Sequence, residues 1–307
     1  MNATRTLASS AKAARADFFA TQVVSFTDAI VRGDHHSAER VVGELLSAQQ
    51  TLADIYTRVM SPALVTVGDL WCRSDIGVGE EHLATEIVVG QMERLRALFA
   101  KHDARSPYRV MIGCVEGELH YVGARMTADL CLAQGWNVDF VGANVPNEAL
   151  IEIVKGRQPQ VLALSITLEN GLEKGDAALE GLELAAPALQ TVLGGQAVQG
   201  KGANRSWGRQ CHIAGDAVEG VAIIGRLLRS YEPGAVLKEY QLVLARRVRD
   251  LRTRKGWTQE QLAEATAVTR VCIVAVEGGK QNVSMDILVR LANALGVAPE
   301  SLLSEQP

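Results

Sequence analysis

Six histidines are spread over 307 residues, and His120 stands straight after an apolar run and before a helical pattern, in the stretch VEGELHYVGARMTADL from Val115 to Leu130. A strand-to-helix junction of this kind opens at the carboxyl edge of an α/β sheet, where such folds bind ligands. An imidazole nitrogen placed there is a competent transition-metal ligand once its second nitrogen is hydrogen-bonded, because that bond fixes the tautomer and raises the basicity. Glu118, two residues upstream, is the available acceptor, and Gly123 completes an E-x-H-x-x-G pattern. Alone the triplet is weak, since a loop histidine held for structural reasons satisfies it equally well. Two further elements sharpen it. Forty-one residues separate Gly123 from SIT, with Ser165 and Thr167, and twenty-six more separate Thr167 from the pair Gly194-Gly195. Each closes an apolar run, so all three converge on one edge. There hydroxyls can hydrogen-bond a ligand, and glycines let a bulky ligand approach the backbone.

The elements that must position these residues fall into three blocks. Residues 1–104 carry apolar side chains at helical spacing, with breaks at RGDHH, at Ser61-Pro62 and at SDIGVGEEH, which predicts a bundle of four or five helices. The Ser-, Ala- and Arg-rich start looks superficially like an organelle transit sequence, but it runs directly into the amphipathic pattern and reads as a helix start. Residues 105–232 alternate short apolar runs (108–115, 136–142, 161–167, 191–195, 211–215) with helical stretches. That alternation predicts a five-stranded, parallel, flavodoxin-like or Rossmann-like sheet. After a hinge-like SYEPGA, residues 233–307 read as several short helices. The fold class is therefore α/β plus all-α.

The spacing of His120, Ser165 and Gly194-Gly195 resembles the cobalamin-binding domain of methionine synthase, corrinoid shuttle proteins and mutases, over about 107–230. That family's pattern is D-x-H-x-x-G, then S-x-L or S-x-T, then GG; here Glu118 replaces the usual Asp, and a glutamate can still accept the histidine N–H. The resemblance implies that His120 is the lower axial ligand of cobalt, with Glu118 behind it, and that the cofactor tail passes Gly123, Ser165, Thr167, Gly194 and Gly195. Trp71, followed after nine residues by Glu81-His82, resembles the W-x9-EH motif in the helical bundle of light-responsive, cobalamin-dependent regulators of the CarH type. There the bundle caps the upper face of adenosylcobalamin, which makes adenosylcobalamin the expected cofactor. An indole can stack on adenine and a carboxylate can accept from a ribose hydroxyl. Without that resemblance, Trp71 is equally a core residue, and the acids of EEH simply suit a helix N-terminus. Light-sensing relatives carry a histidine directly after this Trp; here it is Cys72, so Cys72, His82 or water is left to take the upper position. His35-His36, His102 and His212 read as surface, capping or strand-end residues.

The last block resembles a Cro/Xre-type helix-turn-helix, on LRTRKGWTQEQLAEATAVTR, VEGGK and LVRLANALGVAPESLL. The resemblance implies a phosphate contact at Gln259 and a recognition helix, about Thr269 to Val276, that enters the major groove. Residues 241–307 hold nine Lys/Arg and seven Asp/Glu, net +2, against −4 for the whole chain, so the positive charge is local, as phosphate binding requires. The recognition helix is unusual. Val271, Cys272, Val274 and Ala275 stand where polar residues are usual, leaving Thr269 and Arg270 as candidate base readers, with Arg270 suited to guanine. Such a face suits DNA or, in an adaptor, a partner regulator.

Composition sets the outer limits. With 48% hydrophobic and 21% charged residues a sizeable core forms, and global disorder is excluded. Five cysteines without a CxxC pair offer neither a disulfide framework nor a thiolate zinc site, and suit a reducing cytoplasm. No apolar run reaches the roughly 18–20 residues that span a bilayer, so no membrane contact is expected. Together these features predict a cytoplasmic transcriptional regulator, not an enzyme, that senses adenosylcobalamin and light through Co–C bond cleavage, binds DNA and forms a homo-oligomer. Rival readings are a corrinoid methyl carrier of a methyltransferase system and a cobalamin-binding adaptor.

Overall fold

The computed structural model describes residues 2–101, 107–208, 210–231 and 235–304. His102, the junction at 104/105, and the hinge residues around 232/233 lie outside the described residues. The chain divides into two compact units, Met1–Leu227 and Leu228–Pro307. The helical and α/β blocks share the first.

The first unit opens with α1 (Asn2–Val31) and α2 (His35–Ser47), the latter capped by Asp34, whose carboxylate accepts from Ser37 N at 3.0 Å. A helical rod follows: α3 (Leu52–Ile55), a π-helical turn (Tyr56–Met60) and α4 (Ser61–Cys72); then comes α5 (Val78–Phe99). The break expected at Ser61-Pro62 does not occur. Ser61 N donates to Tyr56 O, an i→i+5 bond, and Pro62 takes the first turn of α4. The widened turn gives the proline ring room where a regular helix would press it against the carbonyl four residues back.

Next come β1 (Arg109–Cys114), α6 (Val122–Gln134), β2 (Asn137–Gly142), α7 (Asn147–Arg157), β3 (Val161–Ser165), α8 (Leu172–Ala185), β4 (Gln190–Gly194), the short α9 (Gln196–Gln199), β5 (Cys211–Ile213) and α10 (Ala217–Ser230). All strand pairs are parallel, in the order β2-β1-β3-β4-β5, as the alternating pattern predicts. The register aligns Cys114 with Ser165 and Ser165 with Gly194, so the ends of β1, β3 and β4 are level. The central strands are covered on both faces, which is why they read as unbroken apolar runs. The flavodoxin-like order puts the switch point between β1 and β3, where ligands of such sheets lie.

Two hydrophobic clusters organise this unit. One fills the helical bundle around Phe26, Ile30, Tyr56, Met60, Ile87, Met92 and Leu95, and it includes Met126 and Leu130 of α6. The other lies between the sheet and its helices, around Met111, Leu150, Leu162, Ile166 and Leu193. Thus α6, which begins two residues after His120, buries one side in the bundle.

The second unit holds α11 (Ala235–Arg254), α12 (Gln259–Thr266), α13 (Arg270–Glu277) and α14 (Met285–Leu295), around Leu244, Val248, Leu262, Ile273, Val276, Leu288 and Leu291. Thr258 and Gln261 close a reciprocal capping box on α12: Gln261 N donates to Thr258 Oγ1 at 3.2 Å and Thr258 N to Gln261 Oε1 at 2.8 Å. The box satisfies two helix-end N–H groups.

Candidate functional site

Glu118 is the centre of the sheet edge. Its side chain is fully buried, and four N–H groups meet it. Oε1 accepts from the backbone N of His120 at 2.8 Å and faces the ring Nδ1 at 2.7 Å. Oε2 accepts from Thr167 N at 2.7 Å and Leu168 N at 2.9 Å. Burial alone would raise this carboxyl; the donors outweigh it and hold the group below the ordinary carboxylate value. An ionised partner requires Nδ1 to carry its proton, which leaves the lone pair on Nε2. The imidazole itself is 57% exposed. The result is an oriented, accessible nitrogen at the mouth of β1, braced by the loop that follows β3. Cys114, below the same loop, is no rival donor: burial and then the Glu118 charge push its thiol up to about 12.

The other expected residues gather around this group. Ser165 ends β3 beside Gly194, and Thr167 is tied to Glu118 through its backbone. Gly195 has φ +106°, and a Cβ there would lie 2.3 Å from Ile166 O; its bare backbone is needed for the β4 loop to cross Ile166, whatever binds alongside. At Gly123, in the first turn of α6, a Cβ would meet nothing within 4 Å, so the space above the helix start is open. Leu119 and Leu168, next to His120 and Thr167, are 67% and 44% exposed. Sequence reasoning passes over both, although an apolar residue beside each polar motif position was the available signal.

The bundle residues form a second group. Trp71, 49% exposed, and exposed Cys72 end α4. Glu81 and His82 sit in the first turn of α5. There Glu81 Oε1 accepts from the Thr85 hydroxyl at 3.1 Å, and Glu81 Oε2 faces His82 Nε2 at 3.5 Å. Among the described residues no hydrogen bond or ion pair joins this group to the sheet-edge group.

What does join bundle and sheet is a buried polar cluster absent from the sequence reading. The Tyr56 hydroxyl donates to Asp129 Oδ2 at 3.0 Å, Arg125 Nε donates to Asp129 Oδ1 at 3.3 Å, and the Arg125 guanidinium reaches Glu93 at 3.9 Å. Tyr56 is 0% and Asp129 1% exposed. Burial, then the Asp129 charge, pushes the phenol far up, so it remains a donor. Burial also raises the Asp129 carboxyl, opposed by Arg125 and by the Tyr56 bond. A lone acid in the otherwise uncharged TADLCLA run was the clue.

In the second unit Glu277, 3% exposed, binds Arg252 through Nε at 2.6 Å and Nη2 at 3.1 Å and accepts from Gln259 Nε2 at 2.9 Å. Burial would raise Glu277; Arg252 and Gln259 reverse this and hold it low. Gln259 therefore commits one N–H internally. Thr269 caps α13, its hydroxyl accepting from Cys272 N at 3.2 Å, and Arg270 meets Glu260 at 3.6 Å in an exposed pair.

Models of three known protein families match: a B12 binding domain over residues 108–223, a second B12 binding domain over 24–96, and a helix-turn-helix domain over 243–305. The chain thus joins B12-binding domains to a C-terminal helix-turn-helix. It is 25% identical over 180 residues to the trimethylamine corrinoid protein of Methanosarcina barkeri, covering 56% of this chain and 81% of that one. It is 29% identical over 170 residues to the HTH-type transcriptional repressor CarH of Myxococcus xanthus, over 54% of each chain. The solved Methanosarcina barkeri monomethylamine corrinoid protein shares the fold, with a TM-score of 0.57 at 21% identity over 66% of this chain and 96% of that one.

The edge fits such a cofactor. Among the described residues no three His, Cys, Asp or Glu side chains lie close enough to hold a bare metal ion. One oriented imidazole with open space beside Gly123 suits a metal whose other positions a macrocycle fills. No helix among the described residues is long and apolar enough to cross a membrane.

Proposed function

We propose that this protein is a cobalamin-dependent transcriptional regulator that senses adenosylcobalamin, and with it light. In this reading residues 105–232 hold the corrin, residues 1–104 cap its upper face, and residues 233–307 contact DNA. The observation that carries it is the Glu118–His120 pair: a buried carboxylate engages Nδ1 of a half-exposed imidazole, which would leave Nε2 to ligate cobalt. When bound, adenosylcobalamin supplies a photolabile Co–C bond. The chain's own residues do the rest. Glu118 holds the imidazole's tautomer, the glycines at 123, 194 and 195 and the hydroxyls of Ser165 and Thr167 line the tail's path, and Trp71, Glu81 and His82 contact the adenosyl group. A ligand moves an equilibrium only by its differential affinity for the two states, and the cap contacts are where that difference arises. Without an adenosyl group, Cys72, His82 or water would hold the upper position. Thr269 and Arg270 read bases, Gln259 meets a phosphate through its second amide proton, and two copies bind together.

The test is a visible spectrum of the protein loaded with adenosylcobalamin, in the dark and after green light, for wild type and His120→Ala. Loss of the base-off, His-on spectrum in the variant supports the axial assignment; an unchanged spectrum removes it. No spectral change on illumination removes the light-sensing part and leaves cobalamin sensing. The coverage of a corrinoid protein at 81% of its length favours a second reading, a corrinoid methyl carrier, in which Trp71→Ala would speed methyl transfer to an added thiol by opening the upper face.

A further inference from the structure

Resting on the DNA-binding reading above, we propose that Val271 and Val274 read thymine C5-methyl groups, so that the preferred operator carries two thymines side by side in the major groove of each half-site. On α13 Ile273, Val276 and Glu277 turn inward, while Val271 and Val274 are 78% and 47% exposed. Exposed β-branched apolar residues on the outer face of a short helix gain nothing from water. They can neither donate nor accept a hydrogen bond, so guanine, cytosine and adenine edges offer them no partner. The thymine methyl is the only apolar group the four bases display in that groove. Three residues of helix span about 4.5 Å, little more than one base step of about 3.4 Å, so the two valines address neighbouring pairs.

Charge singles out nucleic acid as the occupant of this face. Exposed Arg270 begins the helix and exposed Lys280 lies just past its end. The helix thus sets two apolar side chains between two cations, which matches a methyl-lined groove between phosphates. Thr269 accepts from Cys272 N and keeps its own O–H to donate, so the valines add apolar readers beside Thr269 and Arg270.

The experiment takes the full chain, with and without adenosylcobalamin in the dark, and selects duplexes from a randomised pool. Each thymine of the selected site is then replaced by deoxyuridine, which removes only the methyl group. Two positions per half-site are expected to weaken binding about fourfold each, the worth of one buried methyl. Val271→Ala should abolish the penalty at one position and Val274→Ala at the other, with melting temperatures unchanged because both side chains are exposed. Salt-sensitive binding in which no thymine responds, or penalties that persist in both variants, overturns the proposal while leaving DNA binding standing. Failure to select any duplex in either state, or capture of the valine face by a protein, overturns the DNA-binding reading and this one with it.

Discussion

Replacing Tyr56 by Phe removes one oxygen from the seam between bundle and sheet, and its effect follows from the geometry. The hydroxyl donates at 3.0 Å to a carboxylate that has no exposed surface, and a hydrogen bond to a charged group contributes roughly 1.5–3 kcal/mol. Arg125 remains on Oδ1, so Asp129 keeps one partner, and a loss of about 2 kcal/mol is expected at neutral pH. For a unit of this size that is a fall of about 4–8 °C in melting temperature. The sign of the pH dependence is specific. Asp129 already titrates high because it is buried, and the Tyr56 bond opposes that rise. A carboxyl raised in the fold contributes stability that is present below its unfolded value, near 3.9, and is lost as pH rises through the folded value. Without the hydroxyl the folded value climbs further. The gap between wild type and Tyr56→Phe should therefore be widest above the folded value and narrow toward pH 4. Urea melts followed by circular dichroism from pH 4 to 8 measure it, with Asp129→Asn as the second arm of a double-mutant cycle. A pH-independent gap, or one unaltered in the Asp129→Asn background, refutes the pairing.

Three further outcomes are expected. Glu118→Gln sets an amide NH2 against two of the backbone donors and should destabilise the first unit by about 3 kcal/mol; because Glu118 titrates low, its contribution is present above about 4.3 and is lost as pH falls through the folded value, so the variant's urea midpoint should be less acid-sensitive than wild type's. Gly195→Ala forces a methyl onto Ile166 O and should cost about 3 kcal/mol or more, whereas Gly123→Ala meets open space and should leave the melting temperature intact while weakening cobalamin binding by titration. Glu277→Ala strands Arg252 and Gln259 and should destabilise the second unit by about 3–5 kcal/mol, read as loss of its transition in a calorimetric scan.

Much of this was legible in advance, for identifiable reasons. The central strands are covered on both faces, so each appears as a continuous apolar run, and predicted and observed strand bounds differ by at most two residues. The sheet-edge positions were readable because Ser165 and Gly194 end strands and Glu118 and His120 lie in the loop that follows one. Pro62 misled because a π-turn that ends two residues earlier, at Met60, absorbs it, and no single residue type marks such a turn. The bond between Tyr56 and Asp129 spans seventy-three residues, and periodicity reports which face of a helix is buried, never against what. For the same reason nothing near Gln259 foretold that its amide would be drawn to Glu277.

The rod from Leu52 to Cys72 ties two distant groups to one axis. The phenol at position 56 is clamped in the seam, and the half-exposed indole sits fifteen residues on, about 22 Å away at the usual helical rise. Between them Val59, Met60, Ala63 and Val67 are buried in the bundle, so the spacing between indole and seam is set by core packing and not by a loop.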